Sequence, residues 1–171
     1  MANITTKKKA SGIKLGSLVK DTVTGFTGIA VGRTEFAFGC IHIRVQARKL
    51  STDGAPIPVQ SFDDQRIELL APPTKSWAEP RKIAVKLGNV ARDTLTGTVG
   101  TVTSKTVGVE GQVYFVIEPP GLTENGETNP PLVVSAGWIE VVDKRELAVS
   151  KSSAATSGGP AARGVSLPPN I

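Results

Sequence analysis

The chain has 171 residues, of which 39% are hydrophobic but only 5% aromatic, with 18 glycines, 12 prolines and a formal charge of +5. A single cysteine, Cys40, and a single histidine, His42, exclude an intramolecular disulfide, a thiolate zinc site and a His-dependent triad within one subunit. All of the excess charge lies at the ends, in Lys7, Lys8, Lys9, Lys151 and Arg163, so positions 10–149 are formally neutral; a body that tracks a phosphate backbone needs a cation for each phosphate it neutralises, which speaks against nucleic acid as the partner.

Residues 1–12, "MANITTKKKASG", form a basic N-terminal arm without the apolar core of a secretory signal. No apolar run approaches the roughly 18 residues of a membrane span, so nothing is expected to cross a membrane and folding in a reducing cytosol is expected. Positions 13–70 read as five short strands. "GSLVKDTV" is the first, and Thr24-Gly25 turns the chain into "FTGIAVGRTEF". "CIHIRVQAR" is the third, with Ile41, Ile43 and Val45 on one face and His42, Arg44 and Gln46 on the other. Asp53-Gly54 is a strong hairpin signal. "IPVQSFDDQ" holds a short fourth strand and "RIELL" is the fifth.

"APPTKSWAEPRKIA" (71–84) is a Pro-rich, semi-rigid linker. Its Trp77 is an aromatic that should dock, on a neighbouring barrel or on a partner chain. Positions 85–149 then repeat the plan of 13–70 at a shift of 72. Lys14-Leu15-Gly16 falls on Lys86-Leu87-Gly88, Asp21-Thr22 on Asp93-Thr94, Thr24-Gly25 on Thr96-Gly97, Asp53-Gly54 on Asn125-Gly126, and Ile67-Glu68 on Ile139-Glu140. No gap is needed, so a whole domain of roughly 58 residues is duplicated, near the lower size at which domains fold alone. The second copy predicts strands in "GQVYFVIEP", "PLVVSAG" and "WIEVV". Val- and Thr-rich strands, Gly/Pro turns and short spacing make the chain all-β. Five strands in so few residues favour a small barrel, which removes the open edges of a tiny sheet. Residues 150–171 are Ser, Gly, Pro and Ala with almost no core-forming side chain, an extended C-terminal tail.

The repeated D-T-x-T-G-x-x-G string could cradle a phosphate or simply turn the chain. No helix follows it and no Lys-Ser/Thr stands behind its glycines, which excludes a P-loop; Asp21 and Asp93 are expected to cap turn amides. Cys40, next to Gly39 at a strand start, is predicted to be a small buried residue, and His42 to face outward. Asp63-Asp64 is predicted in a turn, because neighbours on a strand face opposite ways and cannot share a site. No catalytic set, metal site or cofactor site is therefore expected, and the chain reads as a non-enzyme.

The openings "LGSLVKDTVTGFTGIAVG" and "LGNVARDTLTGTVGTVTS" resemble the start of KOW-type SH3-like barrels, although Phe26-Thr27 and Thr98-Val99 stand where that family carries basic residues. "VKDTVTGFTGIA", "TEFAFGC", Val45-Gln46 and "SFDDQRIELL" resemble, more closely, short SH3-like proteins of tailed bacteriophages and prophages. The resemblance implies two tandem five-stranded SH3-like barrels and a structural role in a phage virion. The expectation is a capsid decoration (cement) protein that binds major capsid or other virion proteins, and neighbouring copies of itself, through its barrels and arms. The contact residues expected are Lys7, Lys8, Lys9, Phe26, Phe36, Trp77, Val165 and Leu167. The lysines read as a solvated arm or as lying on an acidic neighbour, with contact to packaged DNA the least favoured alternative. The alternatives are a neck, tail or baseplate component, or a KOW-like module that binds RNA or transcription machinery.

Overall fold

A computed structural model describes residues 12–80 and 82–144. Lys7, Lys8, Lys9, Val165 and Leu167 lie outside the described residues. Copy one contributes β1 (Leu18–Asp21), β2 (Thr27–Phe36), β3 (Ile41–Ala47), β4 (Gln60–Asp63) and β5 (Ile67–Ala71). Copy two contributes β6 (Val90–Asp93), β7 (Val99–Gly108), β8 (Val113–Glu118), β9 (Leu132–Ser135) and β10 (Ile139–Asp143). One 3-10 turn, Asp64–Arg66, precedes β5, and Asp63 caps it by accepting from the Gln65 amide. The all-β expectation holds among the described residues, and every strand pair is antiparallel.

Within copy one the pairing runs β5-β1-β2-β3-β4, and within copy two β10-β6-β7-β8-β9. The inner strands alternate buried and more exposed positions where they line a core, as a half-buried antiparallel sheet requires. In β8, Val113, Phe115 and Ile117 face inward while Tyr114 and Glu118 face out. The two inner faces form separate apolar clusters: Ile13, Val19, Ala30, Ile43, Val45 and Ile67 in one, and Val85, Ala91, Val102, Val113, Phe115, Ile117 and Val134 in the other. Large and small side chains trade places between them. Copy two sets Phe115 where copy one has Ile43, and compensates with Val134 where copy one has Phe62. Total volume is what a close-packed interior has to conserve.

The two copies are not beads on a string. Ten strands join into one continuous sheet because β2 pairs with β7. The first half of β2 bonds β1 through Thr27, Gly28 and Ile29, and its second half, Gly32 to Phe36, bonds Ser104 to Gly108 of β7. An irregularity in the β2–β3 register between Ala30 and Gly32 separates the halves, and an equivalent one lies between Val102 and Ser104; such a bulge bends a strand and lets it leave one partner for another. The β2–β7 ladder is two-fold symmetric about Thr34 and Thr106, whose hydroxyls meet at 2.9 Å across a separation of 72 residues. Beyond the ladder, Ala37 N–H donates to Thr103 O at 2.8 Å, and the symmetry-equivalent Val109 N–H donates to Val31 O at 2.9 Å. This is the self-complementary contact of a two-fold dimer, built within a single chain.

The linker fastens the same junction. The Trp77 indole lies on Gly16, where a Cβ would overlap its ring nitrogen, while Ala78 and Glu79 pack against Gly111 of copy two. Gly16 has φ 87°, a conformation that glycine alone adopts without strain. The Lys75 ammonium sits 4.5 Å from the Trp77 ring centroid.

Cys40 corrects an expectation. It is exposed, not a buried small residue. Gly39 turns the chain through φ 87°, with its N–H donating to Phe36 O, and Phe36 N–H donates to Cys40 O. Cys40 thus closes a tight hairpin just before β3 begins at Ile41, and its side chain points to solvent.

Candidate functional site

The repeated D-T-x-T-G-x-x-G string is a side-chain-locked turn. Asp21, buried at the end of β1, accepts hydrogen bonds from the Thr24 amide at 2.7 Å and the Thr24 hydroxyl at 2.6 Å. Arg66, just before β5, closes on the same carboxylate with Nε at 2.9 Å and Nη2 at 2.8 Å. This two-pronged bond is the strong form of a carboxylate–guanidinium pair. It holds the Asp21 carboxyl well below the usual carboxylate range, with Thr24 adding to the effect and burial opposing it. Asp93 makes the same local turn through the Thr96 hydroxyl at 2.6 Å and the Leu95 and Thr96 amides. Trp138 stands at the Arg66 position, so Asp93 has no matching cation there; its carboxyl is still lowered, chiefly by the Thr96 hydroxyl.

The acid response follows with a definite sign. A carboxyl whose folded pKa is lowered stabilises the fold fully above its unfolded value, about 4 for Asp, and loses that contribution as pH falls toward the folded value. Arg66→Gln should therefore move the onset of acid unfolding to higher pH and lower stability at neutral pH as well, since it leaves a buried carboxylate without its cation. Circular dichroism followed from pH 7 downward on wild type and variant checks it; superimposable curves would mean the pair contributes nothing.

Two of the expected contact residues, Phe26 and Phe36, are half-buried. Phe26 is half-buried, packed on the copy-one cluster with its ring 5.5 Å from that of Phe62. Phe36 ends β2, half-buried, with its ring edge-on to His42 at 5.0 Å. A turn aromatic next to an unfilled core edge folds back onto it, because burying the ring outweighs displaying it. The exposed side chains of these turns are Val23, 71% exposed, and Phe38, 84% exposed. Trp77 is half-buried and its Nε1 has no hydrogen-bond partner among the described residues. It lines a groove of about 410 Å³ with Lys14, Leu15, Lys75 and Val107 to Val109.

The surface that single-residue reading missed is repeated. Val23 and Leu95 stand on equivalent turns, Leu50 and Leu122 on equivalent loops, and Leu70 and Val142 on equivalent last strands; all six are exposed. Aligning the copies carries the signal: "TVTG" over "TLTG" keeps an apolar residue in a turn that gives it nothing to pack on.

Among the described residues, no group of three or more His, Cys, Asp or Glu side chains is placed to hold a metal ion, and no helix is long and apolar enough to cross a membrane. His42 and Asp63 are cross-strand neighbours on β3 and β4, and Asp63 is occupied in capping the 3-10 turn. No family model, no curated protein and no solved structure matches the chain, so its functional reading rests on its own residues.

Proposed function

We propose that the chain is a non-enzymatic structural protein of a phage virion, and within that class a capsid decoration protein that binds capsid subunits through its two lobes and its arms. In this reading each copy is an SH3-like barrel, a proposal supported by the strand order in which the fifth strand returns to the first. The observation that carries the functional reading is the repetition of exposed apolar side chains, Val23 with Leu95, Leu50 with Leu122 and Leu70 with Val142, on a body whose two halves are locked in two-fold register. Apolar side chains displayed singly on a surface are ordinary. The same ones displayed at both symmetry-equivalent places on a formally neutral body are suited to a partner that offers two like sites.

Each contact is small, contributing about 25 cal/mol per Å² of apolar area removed from water. Two contacts on one rigid body bind far more tightly than either alone, and copies repeated over a shell multiply the effect. In this reading the basic N-terminal residues and the C-terminal tail add contact area on neighbours.

Mass spectrometry of purified particles with a copy count tests the proposal. On the order of hundreds of copies per particle is the expected result for a protein that follows the shell's symmetry. About a dozen or fewer would assign it to neck, tail or baseplate instead, and absence from particles would end the virion reading.

A further inference from the structure

Copy one carries a groove of about 750 Å³ whose lining copy two does not reproduce. Leu18, Phe26 and Ala47 are its half-buried floor, the Thr24 to Thr27 turn forms one wall, Ile57 forms the other, and the exposed Arg48 and Lys49 stand at the rim. Both walls are fixed in advance. The turn is held by Asp21 and Arg66 as described, and the Ile57 segment is held by Gln46, whose Nε2 donates to Ile57 O at 2.8 Å. No carboxylate lines the groove, and neither Arg48 nor Lys49 has an ion-pair partner among the described residues.

The duplicate supplies the comparison. At the equivalent positions stand Thr98 for Phe26, Pro120 for Arg48, Gly121 for Lys49 and Asn129 for Ile57. There the Asn129 side chain donates to Pro120 O at 2.9 Å, bridging the place that copy one leaves open. The strand plan is the same, although Gly121 turns the backbone through φ 88° where Lys49 takes no positive φ; copy one alone brings an aromatic, an aliphatic and two cations to the border of one groove.

We propose that this groove binds an extended acidic peptide segment of a partner protein. One aliphatic or aromatic side chain of the segment seats over Phe26 and Ile57, and its carboxylates meet Arg48 and Lys49. Charge complementarity selects the class. Two unpaired cations with no anion nearby attract an acidic chain, and the apolar floor between preformed walls rewards a single anchor with little ordering cost. A nucleic acid is a poorer match. Single strands are held by free aromatic faces and a continuous basic track, whereas the Phe26 ring lies tilted against Phe62 and only two cations are present. The inference rests on the reading of the chain as an adhesive module and names the chemistry of what it adheres to.

Panning a random dodecapeptide library on the full chain tests it. The expected result is enrichment of sequences in which several Asp or Glu residues flank one Leu, Ile, Phe or Trp. A synthetic peptide of the leading sequence should bind at least tenfold more weakly to R48E/K49E, two exposed positions whose substitution leaves the core intact. Phe26→Thr, the residue copy two carries there, should weaken it also, while reversal of Lys105 in β7 should not. Enrichment without acidic bias, binding indifferent to R48E/K49E, no enrichment, or tighter binding of a twelve-nucleotide RNA than of the leading peptide would each overturn the proposal. Copy number in particles bears on the virion reading alone, so the two can fail separately.

Discussion

Phe115→Ala is expected to cost about 3–5 kcal/mol, the range for truncating a fully buried phenylalanine. Phe115 is fully buried at the centre of the copy-two cluster, between Val113 and Ile117 on β8 and with Val134 across the sheet. No second aromatic ring packs on that cluster to refill the space, because copy two has no counterpart of Phe26 or Phe62: Thr98 and Val134 stand in their places and the neighbours are aliphatic. The equivalent change in copy one, Ile43→Ala, removes a smaller side chain beside two partly buried phenylalanines that can lean into the gap, so its cost should be the lower of the two, about 2–3 kcal/mol. Urea unfolding of both variants measures the difference. A cost below about 1 kcal/mol for Phe115→Ala would mean that the copy-two core does not depend on that ring.

Gly28→Ala is expected to cost about 2–3 kcal/mol, toward the upper end of ordinary overpacking. Gly28 sits in β2 between β1 and β3, paired with Val19 on one side and Ala47 on the other. A Cβ there would overlap the Gln46 carbonyl and approach Val45 Cγ1 at 2.9 Å. The obstacle is backbone held in a ladder, so relief requires moving a strand and not merely turning a side chain. Gly100→Ala meets the same obstacle in copy two, where a Cβ would overlap the Glu118 carbonyl, and should cost a similar amount. Gly32 is the internal control. Its nearest atom to a new Cβ is Arg44 Cδ at 3.4 Å, the flexible part of a long side chain, so Gly32→Ala should be neutral or stabilise by roughly 0.5 kcal/mol through reduced chain entropy. Thermal melts of the three variants test the ranking; equal effects at Gly28 and Gly32 would refute the close-approach explanation.

Much of the strand plan is legible in the residues because it depends on local rules. Alternation in "CIHIRVQAR" places Ile43 and Val45 inside, and Asp53-Gly54 and Asn125-Gly126 mark turns in which both glycines take positive φ. The Asp21 cap is equally legible, since it acts on an amide three residues away. Its Arg66 partner is not, because it lies 45 residues on and only the folded meander brings it near. The half-burial of Phe26 and Phe36 is not legible for a related reason. Where a ring at a turn goes depends on whether a cavity lies within reach, and that is a property of the assembled core. The β2–β7 ladder is the least legible feature of all. It is made by backbone groups of Gly32 to Phe36 and Ser104 to Gly108, and those stretches carry no apolar period that announces a partner.

That ladder has a mechanical consequence. A loose linker would let two lobes find footholds over a range of separations, whereas a shared pair of strands lets them span only one. The molecule is in effect a calliper set to a single gap. Under the proposed role, such a gauge would select a partner surface whose two like sites stand at that one spacing.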